Sequence, residues 1–396
     1  MRWLALLLCS ALVGCASQLT SIGPGESLND AAFEPRPDPI ETDVFAASPA
    51  MKRFLAVDIA AKLNHMGRLE GLIDAIMTSD QLKLRYDASA TRTAAEAFEQ
   101  RAGNCISLII MTAAMAKELN LQVQFQQVYA DEIWSRDSGI LLRSGHVNLT
   151  LKRRQIEESS LWFSRSRTFT VDFLPDEEVR GYRSSVIEEH TVVAMFMNNR
   201  AAQALARGQL DDAYWWARAA ILKDPEFLPA YNTLAVIYRR HGDLARAERL
   251  SRMLLAQEPD NPTFIANLAT VLRTAGREQE SVALTERLRR IEPYPPFYFV
   301  DQGRNALDSG NIDDAIALFK RELARDEYNH AAHFGLALAY GRRGDLASAR
   351  EHLTAAMENS VTVRDHDRYA AKLERLRAHR DQSPPERQQA INPSGS

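Results

Sequence analysis

The stretch that decides the fold of the first half of the chain is Arg101-Ala-Gly-Asn-Cys-Ile-Ser-Leu-Ile-Ile-Met-Thr-Ala-Ala-Met-Ala-Lys-Glu-Leu-Asn120. Gly103 and Asn104 interrupt the preceding pattern, and the apolar run after them predicts a helix that begins at Cys105. A thiol at a helix N-terminus faces unpaired backbone N–H groups and the positive end of the helix dipole, which favour the thiolate. Cys105 is therefore a candidate nucleophile. The alternative is a buried cysteine that serves only as a small apolar side chain.

After this helix the hydrophobic period changes to two, which is typical of strands. Three segments alternate apolar and polar residues in this way: 121–129, 145–152 and 168–174. His146 lies on the polar face of the second segment, and Asp172 lies on the polar face of the third. One helix start and two strands thus each present one reactive group.

A thiol, an imidazole and a carboxylate are the groups that nucleophilic catalysis by cysteine requires. The imidazole takes the thiol proton, and the carboxylate fixes the tautomer of the imidazole and stabilises its charged form. The order Cys105, His146, Asp172 is a weak signal by itself, because the chain contains nine histidines and many aspartates. Each of the three also has a structural alternative: a core thiol, a strand residue at the surface and the start of a turn.

The surroundings of these residues resemble the transglutaminase-like superfamily, which includes bacterial cysteine-peptidase-like proteins on a papain-related α+β fold. The segments that carry the resemblance lie between about residues 82 and 175: Tyr86-Asp, Thr93-Ala-Ala-Glu-Ala-Phe, Arg101-Ala-Gly-Asn-Cys-Ile-Ser-Leu, Gly145-His-Val-Asn and Val171-Asp. The resemblance implies that Cys105 is the nucleophile, His146 the general base and acid, and Asp172 the residue that orients the imidazole.

Two features depart from the pattern of that superfamily. The segment from Asp131 to Gly139 is expected to be a loop between the first two strands and has no counterpart in the pattern. The side chain that would help to bind an oxyanion is also not identifiable, so Gln100 and Asn104 are candidates only. The backbone N–H of Cys105 is expected to contribute.

The second half of the chain repeats with a strict period of 34 residues. Glycines mark the period, a small residue follows each glycine after five positions, and prolines close three of the units. These positions are Gly208, Gly242, Gly276, Gly310 and Gly344; Ala213, Ala247, Ser281, Ala315 and Ala349; and Pro225, Pro259 and Pro293. Glycine permits a turn, the small residue allows two helices to approach closely, and proline ends the second helix.

This pattern resembles the tetratricopeptide repeat over five units, 193–363, followed by a capping helix, 364–380. Arrays of this kind bind extended peptides or protein segments in a concave groove. Five arginines on the predicted first helices would make parts of the groove basic: Arg239, Arg240, Arg273, Arg304 and Arg342. A solvated charged face is the alternative.

The N-terminus has the pattern of an exported protein. Arg2 precedes a short apolar segment, and Leu12-Val-Gly-Cys15 resembles a bacterial lipobox, which implies a signal peptide over 1–15 and a lipid on Cys15. Without Asp after Cys15, the resemblance favours the outer membrane, with the protein facing the periplasm. Residues 16–50 are expected to form a flexible tether, and residues 381–396 a disordered tail.

Composition excludes several classes of function. A formal net charge of −4 with mixed signs does not indicate nucleic-acid binding. The sequence has no His-Glu-x-x-His, paired Cys-x-x-Cys or phosphate-cradling glycine loop, so no metal and no cofactor are predicted. Of the three cysteines, only Cys105 would remain as a free thiol in the mature chain.

The sequence therefore predicts an α+β papain-like/transglutaminase-like domain over 51–192, followed by an all-α solenoid. The favoured function is that of a lipid-anchored thiol enzyme of the cell envelope, which acts on an amide or ester bond of a protein or peptide, with hydrolysis favoured. The repeats would recruit the substrate or a partner. A non-catalytic scaffold for an envelope complex is the alternative.

Overall fold

The computed structural model describes residues 23–36, 40, 43–78, 81–137, 140–153, 168–173 and 183–382. Within these residues, six α-helices precede the main sheet: α1 Pro24–Ser27, α2 Pro49–Arg53, α3 Ala60–Met66, α4 Arg68–Ile73, α5 Ala94–Gln100 and α6 Cys105–Glu118. Thr93 and Glu96 form a reciprocal capping box at the start of α5. The longest of the six is α6, which is buried from Cys105 to Ala116.

The described part of the chain contains six strands in two sheets: β1 Arg85–Tyr86, β2 Ala102–Gly103, β3 Gln122–Asp137, β4 Ile140–Lys152, β5 Phe169–Val171 and β6 Arg183–Ile187. β1 and β2 pair in parallel, and the other four form an antiparallel sheet in the order β5-β4-β3-β6. Helix α6 packs against β3 and β4.

The sheet differs from the predicted one in two respects. The segment expected to be a loop belongs to β3 as far as Asp137, and the register of the hairpin shifts between Val128 and Ile133. The edge strand β6 has no counterpart in the prediction, because its residues combine exposed and half-buried positions without a clear apolar alternation. Both faces of β4 are buried at residues 146–150, and neither is exposed to solvent. The alternation of polar and apolar residues there therefore distinguishes a polar environment on one face from an apolar environment on the other.

Eleven helices follow the sheet within the described residues. They are α7 Glu189–Ala206, α8 Leu210–Lys223, α9 Leu228–His241, α10 Leu244–Gln257, α11 Pro262–Thr274, α12 Glu278–Ile291, α13 Tyr298–Asp308, α14 Ile312–Leu323, α15 His330–Arg343, α16 Leu346–Glu358 and α17 Val363–Gln382. The first ten form five helix pairs, and α7 begins before the predicted boundary at residue 193.

The helix pairs explain the period of the sequence. Each of the five glycines lies in the turn within a pair at a φ between 76° and 97°, a conformation that L side chains rarely adopt. The small residue five positions later is buried in every pair, and Ser281 also donates to the carbonyl of Ala269 (2.9 Å).

The hydrophobic core is divided along the array. One cluster extends from Phe33 through the first domain to Val271, a second surrounds Phe319, and a third joins Leu353 to Tyr369 and Leu373 on α17. Between the first two clusters lies α12, whose one buried residue is Ser281. The strict sequence period therefore does not give an evenly filled core.

Part of the N-terminal range that was expected to be a tether packs on the first repeats. Phe33 stacks on Tyr214, with ring centroids 3.9 Å apart and an interplanar angle of 6°. The Tyr214 hydroxyl donates to Asp30 (2.6 Å), and the Tyr238 hydroxyl donates to the carbonyl of Ser27 (2.8 Å). The composition of this range, which is rich in small and polar residues, did not predict these contacts, because a single buried aromatic residue produces no hydrophobic period.

The remaining terminal predictions fall outside the structural description. The signal peptide 1–15 with Cys15, and residues 383–396 of the predicted tail, lie outside the described residues. Within the described ranges, no helix combines the length and the apolar character needed to cross a bilayer.

Candidate functional site

The start of α6 is shaped by the residues around Cys105. Asn104 is the N-cap, and its Oδ1 accepts hydrogen bonds from the backbone N–H (3.0 Å) and the hydroxyl (2.7 Å) of Ser107. A Cβ on Gly103 would lie 2.6 Å from Cβ of Ser107, so this position requires glycine. Cys105 is the first residue of the helix, where its N–H has no intrahelical acceptor.

His146 and Asp172 form a buried pair beside this helix start. His146 lies on β4 and exposes 3% of its surface, and Asp172 directly follows β5. His146 Nε2 lies 2.7 Å from both carboxylate oxygens of Asp172. Because β4 and β5 are neighbours in the sheet, their register brings the two side chains together.

The thiol of Cys105 lies close enough to this imidazole to affect its protonation. Burial alone would lower the pKa of His146, but hydrogen bonding to Asp172 and to Cys105, together with the charges of both, raises that pKa from 6.5 to about 9. The second ring nitrogen, Nδ1, is buried and has no hydrogen-bond partner of good geometry within the described residues. With Nε2 held by Asp172, Nδ1 is the nitrogen that remains for the thiol.

Asn148 is a site residue to which the sequence analysis gave no role. Its Nδ2 donates to Asp172 Oδ2 (3.1 Å), while its Oδ1 is buried without a partner among the described residues. The sequence places Asn148 two residues after His146 on the same polar face of the strand, but it does not show that this side chain contacts Asp172.

The two oxyanion candidates have other partners. The Asn104 amide donates to the Thr91 hydroxyl (2.8 Å) and its oxygen caps α6, so its side chain is occupied by local structure. Gln100 is exposed on α5, and its oxygen accepts from Arg92 Nε (2.7 Å). The geometry leaves the Cys105 N–H as the donor whose position at a helix start suits an oxyanion.

The five groove arginines fall into two groups. Arg240 donates to the carbonyl of Leu205 (3.0 Å), and Arg342 donates to that of Leu307. Both carbonyls lie in the last turn of the first helix of the preceding pair, so these two arginines cap that helix end.

The other group comprises Arg239, Arg273 and Arg304, which have no ion-pair partner among the described residues. Burial, together with the charges of Arg240 and Arg273, lowers the pKa of the half-buried Arg239. Like charges with no counterion leave this part of the array electropositive. Among the described residues, no cluster of three or more His, Cys, Asp or Glu has the arrangement of a metal site.

Comparisons with known proteins place the chain among repeat proteins. The family model described as tetratricopeptide repeat matches residues 300–360. A TPR repeat-containing protein of Pseudomonas aeruginosa is 29% identical over 137 residues, which are 34% of this chain and 23% of that protein. The match thus spans about a quarter of the length of that relative.

Similar solved structures include two that are described as TPR proteins. A thermophilic TPR protein of Thermus thermophilus is 21% identical and covers 46% of this chain and 99% of its own, with a TM-score of 0.28. YrrB, a TPR protein with an unusual peptide-binding site, is 18% identical and covers 47% and 99%, with a TM-score of 0.24. PilW, a type IV pilus biogenesis factor, is 19% identical and covers 48% and 95%, with a TM-score of 0.25. The family match identifies the tetratricopeptide repeat in residues 300–360, and the five helix pairs of the second half follow one 34-residue period.

Proposed function

We propose that the chain binds a protein or peptide through its repeats and that Cys105 performs acyl transfer on the bound partner. The observation that carries this proposal is the buried pair of His146 and Asp172, 2.7 Å apart, whose imidazole is also affected by the nearby thiol of Cys105. A helix that begins with the thiol and packs on antiparallel strands bearing the other two groups supports the assignment of the first domain to the transglutaminase-like type.

The chemistry follows from these three side chains. The imidazole takes the thiol proton, and the thiolate attacks an amide or ester carbonyl, whose oxyanion the Cys105 N–H binds. The imidazolium then gives its proton to the departing amine or alcohol, which leaves a thioester on Cys105. Water, deprotonated by His146, hydrolyses the thioester, releases the acid and regenerates the thiol. A raised pKa of His146 keeps the imidazolium available for the proton transfer to the leaving group.

The repeats supply the partner in this proposal. Arg239 and Arg273 have no ion-pair partner in the part of the chain that the structure describes, so an acidic segment or a terminal carboxylate suits this surface. Binding of an acidic peptide measured by fluorescence anisotropy should weaken roughly threefold to tenfold in Arg239→Gln. Arg240→Gln serves as the matched comparison, because that guanidinium caps a helix and its loss acts on stability.

A generic ester tests the thiol chemistry without knowledge of the substrate. The full chain is treated with p-nitrophenyl acetate, and acetylation of Cys105 is followed by mass spectrometry together with the release of p-nitrophenolate. The proposal predicts acetyl-Cys105 that turns over, no acetylation at this position in Cys105→Ser, and acetylation slowed by about 10²-fold or more in His146→Ala. The control is His65→Ala, which changes an exposed histidine.

The second candidate function is a non-catalytic scaffold. It is favoured by the tetratricopeptide-repeat match over residues 300–360, by the similarity to a TPR repeat-containing protein, and by the 4% exposure of Cys105, which restricts the access of large reagents. In that case Cys105 resists acetylation in the folded chain, and Cys105→Ser binds its partner as the wild type does. The acetylation experiment thus separates the two functions.

We also propose that Cys15 carries the lipid anchor in the cell envelope, as its lipobox-like context predicts. Metabolic labelling with an alkyne fatty acid in a bacterial host should mark the wild type and leave Cys15→Ala unlabelled. Equal labelling of both would exclude this anchor site.

A further inference from the structure

We propose that the loop of residues 87–93, here named the Thr91 loop, couples the repeat array to the Cys105 site, with Thr91 as a positioning residue. This inference deepens the proposed function and rests on Cys105 being its nucleophile. The loop lies between β1 and α5 and joins the thiol helix to both ends of the array.

The connection to the thiol helix runs through two hydroxyl groups. The buried Thr91 hydroxyl accepts from Asn104 Nδ2 (2.8 Å), and Asn104 caps the helix that begins with Cys105. The backbone N–H of Arg92 donates to the Ser107 hydroxyl (2.8 Å), which itself donates to Asn104. The orientation of the N-cap is therefore fixed from the Thr91 loop, and with it the position of the first turn of α6.

The connection to the start of the array uses the same threonine. Gln203 on α7 donates from Nε2 to the Thr91 hydroxyl (2.9 Å), and Arg200 on α7 donates to the Thr91 carbonyl (3.1 Å). Arg200 also lies over the ring of Trp216 on α8, 5.4 Å from its centroid. Helix α7 thus contacts the group that orients the thiol helix, and α8 contacts Arg200 of α7 through Trp216.

The far end of the array reaches the same loop. The backbone N–H of Ala88 donates to the carbonyl of Val361 (2.7 Å), which lies between α16 and α17. Asp87 is buried and holds the loop from inside through an ion pair with Arg92 (3.0 Å). A partner that changes the curvature of the array would shift the two ends that contact this loop. Part of the free energy of partner binding would therefore act on the position of the thiol helix.

The test follows alkylation of Cys105 by iodoacetamide across a range of pH in the full chain, quantified on the Cys105 peptide by mass spectrometry. Thr91→Val removes the hydroxyl and keeps the shape, whereas Thr91→Ser keeps the hydroxyl. We expect Thr91→Val to change the rate constant roughly threefold to tenfold and to shift the pH midpoint, and Thr91→Ser to restore the wild-type profile. A wild-type rate and midpoint in folded Thr91→Val would overturn the positioning role.

A second variant tests the link between the Thr91 loop and the array without changing a residue of the hydrophobic core. Gln203→Met removes the hydrogen bond from α7 and leaves the cap intact, and Gln279→Met makes the same change at an exposed position of α12. We expect Gln203→Met to shift the alkylation profile in the same direction as Thr91→Val, and Gln279→Met to leave it unchanged. An unshifted Gln203→Met would overturn the coupling. Because alkylation needs no acyl substrate, a failure of the proposed acyl transfer in the acetylation experiment can be distinguished from a failure of this coupling.

Discussion

The repeat array and the first domain place their important residues in different ways. In the array, a turn glycine and the small residue that packs beside it are five positions apart, and the arrangement recurs every 34 residues. In the first domain, Cys105, His146 and Asp172 come from a helix start, a strand and the end of a neighbouring strand. Local regularity thus specifies the array, whereas the site depends on long-range packing, and substitutions should affect the two regions differently.

The largest effect is expected on the reactivity of Cys105 when the contact between Asp172 and His146 is changed. Asp172→Asn keeps the size of the side chain but removes the charge that stabilises the imidazolium of His146. We expect the rate of Cys105 acetylation by p-nitrophenyl acetate to fall by about 10²-fold or more. Asp313→Asn, at an exposed position of α14, is the control. Equal rates in wild type and Asp172→Asn would remove the carboxylate from the mechanism.

A large effect is also expected at the junction of the two regions. Phe33→Ala removes the ring that stacks on Tyr214, and burial of a phenylalanine in such a position stabilises by about 3–5 kcal/mol. Hydrogen exchange should show that residues 27–33 lose their protection while α9 and α10 keep theirs. If the protection of residues 27–33 is unchanged, the contact with the first repeat does not hold this segment.

A comparison of wild type with His146→Gln sharpens the contrast, because the difference in pH dependence between these two proteins originates in the site. The pKa of His146 in the folded chain, about 9, lies above its ordinary value of 6.5. The imidazolium therefore stabilises the fold fully below the unfolded value, and this contribution, up to about 3 kcal/mol, is lost as the pH rises through the folded pKa. Urea unfolding of wild type and His146→Gln should give a stability difference that shrinks between about pH 6 and about pH 10. Parallel pH profiles would count against a protonated His146.

A smaller effect is expected in the array, where two glycines of one helix have different surroundings. A Cβ on Gly335 would overlap the ring of Phe319, whereas a Cβ on Gly341 would have no atom within 4 Å. Gly335→Ala should destabilise by about 1–3 kcal/mol through overpacking. Gly341→Ala should be neutral or stabilise by about 0.5–1 kcal/mol, because alanine favours the helix. Thermal unfolding of both variants checks the difference, and a similar effect at the two positions would mean that Phe319 does not pack against α15 as described.

The same contrast explains how much could be predicted from the sequence. The helix pairs of the array follow from Gly208 to Gly344 because each unit repeats the same local signal. The division of its core at α12 could not be predicted, because the period marks turns and close approaches and does not report how much apolar surface a helix buries.

In the first domain, the alternation of residues 145–152 identified the polar face of His146, and the helix start identified Cys105. The roles of Asn148 and Thr91 could not be assigned, since they depend on which strands and loops become neighbours. Hydrogen bonds between Thr91, Asn104 and Gln203 join three segments that no pattern connects. The packing of the segment around Phe33 could not be predicted either, because it depends on contacts with residues that are distant in the sequence.

The most direct test of the thiol site is the protonation state of His146, measured by ¹⁵N NMR of imidazole-labelled protein, with His146→Gln to assign its signals. The account predicts that His146 keeps its proton through neutral pH with a midpoint near its pKa of about 9, and that Cys105→Ala lowers this midpoint. A neutral imidazole at pH 7, or a midpoint that Cys105→Ala leaves unchanged, would contradict the assembly of a thiol–imidazole–carboxylate site.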